Sequence, residues 1–235
     1  MYEMNEKKTR REHFEELPST NDYAKEKRAE GGNLIVTATR QTSGRGTKGR
    51  SFVSGEGGVY LSKLTFYEDF PAKDAFKIMA NAAVAVCETL SFFGLRPCIK
   101  WVNDVYVDDK KICGILIENV FRGGNVSSSV VGIGLNVNNR LPQELQGIAT
   151  TMEQALGRPC LVKDVEEKLI TELEKDRAMS DYIERVGYLG REATLIFGDE
   201  RVHGVLLSVD EEGGLWVKIG DKKRRLTAAE VSVQL

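Results

Sequence analysis

Gln41-Thr42-Ser43-Gly44-Arg45-Gly46-Thr47-Lys48-Gly49-Arg50-Ser51-Phe52 is the most distinctive segment of this chain, because it places three glycines and three cations within Gly44–Arg50. We call residues 41–52 the glycine loop. Glycine lets backbone N–H groups approach a ligand closely, and adjacent N–H groups in such a loop can surround an anion. The three cations, Arg45, Lys48 and Arg50, suit phosphate or carboxylate. The segment therefore indicates an anion-binding loop, with an exposed, flexible basic loop as the simpler alternative.

The segments on either side of the glycine loop indicate strands. Residues 34–39 are rich in β-formers, and residues 58–66 also have a strand pattern. The spacing Gly44, Gly46, Gly49 fits a dinucleotide fingerprint, and the loop nearly matches a phosphate-binding P-loop. Both motifs require a helix directly after the loop, and here further glycines and a strand follow instead. We therefore reject both interpretations.

Size and composition are those of an ordinary globular protein. The chain has 235 residues, of which 41% are hydrophobic, so it can form one large domain or one medium and one small domain. The formal net charge of −2 provides no overall basic field for nucleic acid. The N-terminus is charged and lacks the apolar core of a signal peptide. We also expect no membrane span, because no apolar stretch of about 18 residues is evident.

Cysteine and histidine usage argues against metal or disulfide chemistry. The four cysteines form no C-x-x-C pair and lie in apolar segments, so we expect buried free thiols in a reducing cytoplasm. The two histidines, His13 and His203, are far apart and have no ligand partner at helical spacing.

The patterns along the chain predict a mixture of helices and strands. Residues 1 to about 12 are polar, and we expect them to be frayed. Helices are predicted over about 21–30, 72–93, 151–157 and 162–186, and strands over 98–107, 112–118 and 130–138. From residue 190 onward short strands alternate with glycine turns, which is typical of a small β-barrel. We expect two domains, 1–187 and 188–235.

Three polar or glycine positions have two interpretations each. Ser19-Thr20-Asn21 is favoured as a helix N-cap, with ligand binding as the alternative. Gly132 and Gly134 occupy one face of a strand, which indicates either a bulge or tight crossing, or a ligand against the backbone. Lys100, beside Trp101, is either an ordinary surface lysine or an ammonium presented to an anion.

Five short motifs, taken together and in order, resemble those of the biotin protein ligases. They are Ser19-Thr20-Asn21, Gln41 through Arg50, Lys100 through Asp104, Lys111 through Glu118, and Gly132 through Asn136. The match spans nearly the whole chain. It implies an α+β fold, with a mixed β-sheet catalytic domain of the biotin/lipoate ligase type and a small C-terminal SH3-like β-barrel.

Two residues depart from the family pattern. Thr47 replaces the second arginine of the loop, which in the family helps to retain the adenylate. Val102 replaces the proline of Lys-Trp-Pro-Asn-Asp, and we expect the backbone to tolerate it. Phe52 stands where tryptophan is common. Repressor members carry an N-terminal winged helix-turn-helix, and the 18 residues before Ser19 leave no room for one, so we expect no DNA binding.

The resemblance implies an ATP-dependent biotin–[acetyl-CoA-carboxylase] ligase. Biotin and ATP form biotinyl-5′-AMP, and a lysine of the biotin carboxyl carrier protein then accepts biotin. Lys100, with Arg45 and Arg50, is assigned to catalysis. The residues assigned to biotin are Ser19, Thr20, Asn21, Gln41, Gly44, Arg45, Lys100, Gly114, Gly132 and Gly134. The residues assigned to ATP are Arg45, Gly46, Thr47, Lys48, Arg50, Phe52, Asn103, Asp104 and Asn136.

Mg²⁺ is expected to accompany ATP, with Asp104 as its ligand, although a purely structural Asn103-Asp104 turn is an alternative. A homodimer is also consistent with the family. Two other functions stay open, a lipoate or octanoyl ligase-type acyl transferase and a degenerate, non-catalytic biotin-binding module. Finally, we expect the glycine loop to be mobile without ligand and ordered with it.

Overall fold

The structure is a computed structural model that describes residues 9–234. Within that range the chain forms two β-sheets and a set of short to medium helices. The helices are α1 Thr20–Glu26, α2 Phe76–Phe92, α3 Met152–Leu156, α4 Val162–Leu173 and α5 Met179–Arg185. The strands of the first sheet are β1 Arg10–Leu17, β2 Leu34–Gln41, β3 Val59–Phe66, β4 Cys98–Lys100, β5 Asp104–Val107, β6 Lys110–Arg122 and β7 Asn125–Leu135. Those of the second are β8 Glu192–Phe197, β9 Glu200–Val209, β10 Leu215–Ile219, β11 Lys222–Leu226 and β12 Ser232–Gln234.

The larger sheet has seven strands in the order β1-β2-β3-β7-β6-β5-β4. Its β1–β2 pair is parallel and its other pairs are antiparallel, which confirms the predicted mixed sheet. Side chains alternate between the two faces of a sheet. Tyr60, Ser62 and Leu64 of β3 therefore share one face with Gly132 and Gly134 of β7, to which β3 is paired.

Most of the hydrophobic core lies on the other face of this sheet. There α2 packs with α4 and α5 over inward-facing side chains such as Leu61, Val131 and Ile133. The face that carries the glycines holds a smaller cluster formed by α1 and the strands beneath it, with Ala24, Leu34 and Val36 at its centre. One face thus provides stability, and the other is left to a short helix and the glycine loop.

The segment Ala72–Phe92 is, by length and composition alone, apolar enough to cross a membrane, so the chain does contain one apolar stretch that the sequence analysis did not recognise. More than half of its most apolar window is buried inside the protein. Alanines fill the middle of α2, from Ala80 to Ala85. Small side chains let the helix approach the sheet closely, as is common for helices in protein cores.

The C-terminal sheet is antiparallel, with strand order β11-β10-β9-β8-β12. Its apolar side chains, such as Leu195, Leu206 and Val217, join the same core cluster as α2. Trp101 also donates a hydrogen bond from Nε1 to the carbonyl of Gly213, at 3.0 Å. The predicted boundary at residues 187/188 falls between α5 and β8. The closed SH3-like barrel stays a prediction.

Two secondary-structure predictions were wrong. Residues from Arg10 onward form β1 rather than a frayed tail, because this edge strand needs few apolar residues; residues 1–8 lie outside the described range. The predicted helix over 162–186 is two helices. Arg177 ends α4 by donating from Nη1 to the carbonyls of Glu172 and Lys175. The short strand β12 was not predicted.

The cations around the end of α4 predict an acid-dependent stability. Burial opposes ionisation of Glu172, but hydrogen bonds from Lys168 and Lys175 outweigh it and lower the pKa of Glu172 to about 2. A carboxylate with a lowered pKa stabilises the fold above its unfolded pKa of ~4.3, and this contribution is lost as pH falls towards 2.

We therefore expect Glu172→Gln to lower the free energy of unfolding by about 2 kcal/mol at pH 7. The gap to the wild type should close as pH falls from about 5 to about 2.5. Urea unfolding across this range measures it, with the exposed Glu167→Gln as the control. A gap that does not change with pH would contradict the assignment.

Candidate functional site

A pocket lies between α1, the glycine loop and the strands β6 and β7. Most of the predicted site residues line it, namely Ser19, Thr20, Asn21, Gln41, Arg45, Gly46, Thr47, Arg50, Phe52, Asn103, Asp104, Gly114, Gly132 and Gly134. Ser51, Lys111, Ile115, Leu116 and Ile133 complete its lining. Residues distant in the sequence meet here because β3, β7 and β6 are adjacent strands.

One end of the pocket is a neutral hydrogen-bonding network. Thr20 donates from its backbone N and its Oγ1 to Gln41 Oε1, at 2.8 and 3.0 Å. Gln41 Nε2 donates to Ser54 Oγ at 2.8 Å. Ser62 Oγ, on β3, lies 2.8 Å from Thr20 Oγ1 and 2.5 Å from Asn21 Oδ1. Such fixed donors and acceptors suit a neutral polar ligand group.

Ser19 caps α1, since its Oγ accepts from the backbone N of Asp22 at 3.3 Å. The favoured interpretation of Ser19-Thr20-Asn21 therefore describes Ser19, while Thr20 and Asn21 take part in the pocket network. The two interpretations are compatible, because the cap fixes the first turn that presents these side chains.

Protein side chains, and not open space, lie against the two glycines of β7. A Cβ on Gly132 would overlap the amide of Asn21, and one on Gly134 would overlap the ring of Phe52. The free volume left in the pocket is about 100 Å³. Ligand pockets usually offer ~300–1,000 Å³, so a sizeable ligand must displace Phe52 and the loop that carries it.

Arg45 is held by carboxylates at the mouth of the pocket. Its Nη1 lies 2.6 Å from Asp22 Oδ1 and 3.3 Å from Glu118 Oε1. Glu118 also accepts from Lys25 at 3.0 Å and from Asn21 Nδ2 at 3.1 Å. Burial raises the pKa of Glu118, but the bonds from Lys25 and Asn21 outweigh it and hold that pKa below its usual value.

The rest of the glycine loop is tied by its own contacts. Arg50 donates from Nε and Nη2 to the carbonyl and hydroxyl of Thr47, at 3.2 and 3.0 Å. Lys48 adopts a left-handed conformation with φ 56° and points away from the pocket. Its Nζ donates to Ser232 Oγ at 2.8 Å and to the carbonyl of Val231, so the loop tip is attached to the C-terminal sheet.

The charged end of the pocket contains Lys111 and Asp104. Lys111 Nζ lies 2.8 Å from Asp104 Oδ1. Gly114 leaves room for this ammonium, because a Cβ there would be 3.2 Å from Lys111 Nζ. With Arg50 at the same end, the pocket offers two cations and one carboxylate to a charged ligand group.

Lys100 does not line the pocket. Its Nζ lies 3.3 Å from the hydroxyl of Tyr106 and 5.2 Å from the centre of that ring. Burial lowers the pKa of Lys100; the charge of Asp104 opposes this shift, and the charges of Lys111 and Arg50 add to it. The predicted bridging role of Lys100 is therefore not supported by its position.

Three other predicted site residues lie outside the pocket. Gly44 packs under the returning arm of the loop, where a Cβ would overlap the Phe52 carbonyl. Lys48 faces the C-terminal sheet. Asn136 is buried, donates from Nδ2 to the carbonyl of Thr150 and accepts from Asn139, so its amide orders a loop.

The Asn103-Asp104 turn is partly structural. Asn103 donates from Nδ2 to the carbonyl of Ile115, whose own N donates back to the Asn103 carbonyl. The Trp101–Val102 peptide bond in this turn is cis, and the Val102 carbonyl accepts a hydrogen bond from the hydroxyl of Tyr182 at 2.9 Å.

Sequence reasoning missed Lys111, Glu118, Ser54 and Ser62 as site residues. Lys111 and Glu118 stand at the two ends of a motif that the resemblance singled out, and this was the available signal. Ser54 and Ser62 had no signal beyond their place in or beside a predicted strand.

No group of three or more metal-ligand side chains occurs within residues 9–234. Asp104 Oδ1 is nevertheless a buried oxygen without a hydrogen-bond partner in that range, because Lys111 approaches it closely but without hydrogen-bond geometry. One carboxylate fits a Mg²⁺ ion that is held mainly by substrate phosphates, not one held by a protein cage.

Comparison with known proteins agrees with this geometry. The biotin/lipoate A/B protein ligase family matches residues 13–136. The bifunctional ligase/repressor BirA of Bacillus subtilis is 31% identical over an alignment of 217 residues, and the match covers 85% of this chain and 66% of that protein. The chain thus spans just under two thirds of that relative. The biotin--[acetyl-CoA-carboxylase] ligase of Paracoccus denitrificans is 27% identical over 85% of this chain and 90% of its own length.

A solved structure is also similar to this chain over almost its whole length. The biotin protein ligase of Aquifex aeolicus, in complex with biotin and ATP, superposes with a TM-score of 0.80 and 28% identity. It covers 96% of this chain and 98% of its own. The family match over residues 13–136, together with the similar fold, shows that this chain belongs to the biotin/lipoate A/B protein ligase family.

Proposed function

We propose that this protein is an ATP-dependent biotin protein ligase, which forms biotinyl-5′-AMP and transfers biotin to a lysine of a biotin carboxyl carrier protein. One observation carries the proposal: a single pocket joins the neutral network of Thr20 and Gln41 to the charged end of Arg50 and Lys111. Biotin combines a neutral ureido ring with a carboxylate, and ATP adds phosphates, so the two ends match the two reactants.

In the first step a carboxylate oxygen of biotin attacks the α-phosphorus of ATP, and pyrophosphate leaves. Two anions must meet, and a fixed ammonium between them lowers the cost of that approach. We assign this role to Lys111 in place of Lys100, because Lys111 is the lysine that lines the pocket. Asp104 positions it through their 2.8 Å ion pair.

In the second step the ε-amine of the acceptor lysine attacks the acyl carbon, and AMP leaves with the bonding electrons. Neither step needs a nucleophile from this chain. Closing the glycine loop keeps water from the mixed anhydride, and the carboxylates that hold Arg45 provide a closed position for the loop. When Mg²⁺ accompanies ATP it neutralises phosphate charge, and Asp104 is the carboxylate that would hold it.

Other expectations stay predictions. The edge of β6 from Leu116 to Arg122 has no strand beside it within the described range, so it offers pairing to a second copy or to a carrier protein. Cytoplasmic location and the lack of DNA binding stay predictions from the sequence.

Calorimetry with biotin, lipoate and ATP tests the substrate. We expect biotin to bind and to release pyrophosphate from ATP, because the polar end of the pocket suits a ureido ring. Lipoate binding without biotin binding would overturn the proposal. Biotin binding without pyrophosphate release would indicate a non-catalytic module.

The lysine assignment is tested by a matched pair of variants. We expect Lys111→Met to slow adenylate formation roughly 10²-fold or more, as loss of a charge-stabilising donor does, with the fold retained. Lys100→Met should keep activity within about tenfold, because its ammonium faces Tyr106. Biotin-dependent pyrophosphate release measures both. The reverse order of effects would restore the original assignment.

Thr47 is tested by the escape of the intermediate. A guanidinium at this position would reach anions that the threonine cannot, so Thr47→Arg should slow dissociation of biotinyl-5′-AMP several-fold. Thr47→Val, which only removes the acceptor for Arg50, should not slow it. Stopped-flow dissociation measures the rate, and an unchanged rate in Thr47→Arg would reject the idea.

A further inference from the structure

A second pocket lies on the same face of the seven-stranded sheet, on the other side of α1 from the candidate site. It has a volume of about 490 Å³ and lies against the hairpin end of β6 and β7, where Ser127 and Ser128 form part of its wall. Asn21 of α1 lines the first pocket, and Lys25, one helical turn later, lines the second. Nothing in the proposed reaction uses this second pocket.

Arg28 gives this pocket its chemical character. The Nε and Nη2 atoms of its guanidinium are buried and have no hydrogen-bond partner within residues 9–234. Buried donors without an acceptor are costly, and native proteins satisfy nearly all of them with protein, water or ligand. Arg28 lines the pocket and is only partly buried, so an acceptor that enters the pocket could pair with a guanidinium that has no side-chain partner within the described range.

The surrounding charges favour an anionic acceptor. Arg122, at the end of β6, lines the same pocket and, like Arg28, forms no ion pair in the described part of the chain. Lys25 is already paired with Asp22 and Glu118. Glu26 is the one carboxylate in the lining, and it is exposed and not paired with either arginine.

We propose that this pocket binds a compact oxyanion, a phosphate or a carboxylate, between the guanidinium groups of Arg28 and Arg122. Guanidinium groups bind both anions through paired, charge-assisted hydrogen bonds. A compact anion fits because Nε and Nη2 of Arg28 are buried, which leaves only part of this guanidinium within reach from the pocket. The site shares Lys25 with the network that holds Arg45, so it lies next to the attachment of the glycine loop.

The test is a titration of the full chain with inorganic phosphate at constant ionic strength, followed by calorimetry and by the thermal unfolding midpoint. We expect phosphate to bind and to raise the midpoint. Arg28→Gln and Arg122→Gln should each weaken phosphate binding roughly tenfold, as loss of a charge-assisted hydrogen bond does. The matched control Arg158→Gln, an exposed arginine in neither pocket, should bind as the wild type does.

Two further arms locate the site and identify the anion. Arg50→Gln should keep phosphate binding; loss of binding there, with Arg28→Gln unaffected, would place phosphate in the candidate site and overturn the proposal. Arg28-dependent binding of acetate would indicate a carboxylate ligand, and binding of phosphate alone a phosphate ligand. If neither anion binds in an Arg28- or Arg122-dependent way, the proposal is wrong. Without anion, Arg28→Gln should be at least as stable as the wild type, since it removes unpaired buried donors.

Discussion

The arrangement of the site depends on the contacts made by the carboxylate of Glu118. It accepts from Asn21 and Lys25 of α1 and faces Arg45 of the glycine loop, so one side chain of β6 joins three separate parts of the chain. The pairing of Asn21 places its amide over Gly132, and the pairing of Arg45 brings the loop down over the pocket. Two cations and one amide hold this half-buried carboxylate ionised, so its contacts persist across the physiological pH range.

Much of the fold was predictable because its signals are local. The strands β2, β3, β6 and β7 follow from apolar runs bounded by glycine turns, and α2 follows from its helical period. The glycine loop was recognisable from its high content of glycine and basic residues. Fourteen of the predicted site residues line one pocket. The order and spacing of the five motifs indicated the family and the site residues, which no single motif could do.

Which of the two lysines, Lys100 or Lys111, lines the pocket was not predictable from strand alternation. Lys100 ends the three-residue strand β4, whereas Lys111 is the second residue of the 13-residue strand β6. The β5–β6 pairing between them shifts register at Val105/Tyr106. An irregularity of this kind inserts a residue and reverses which side chains share a face, so counting alternate residues fails beyond it. The break between α4 and α5 was missed for a related reason, since it depends on side-chain bonds from Arg177 that no periodicity reveals.

Lys48 of the glycine loop is hydrogen-bonded to Ser232 at the start of β12. The last strand of the C-terminal sheet therefore helps to hold the glycine loop over the entrance of the pocket. The two hydrogen bonds that Lys48 donates, to the carbonyl of Val231 and to Ser232 Oγ, must break before the tip of the glycine loop can move outward. Among residues 9–234, strand β12 is paired on one side only, with β8. A molecule that binds the free side of β12 and shifts this strand would therefore change how quickly ligands enter and leave the pocket, without contacting the residues that line it.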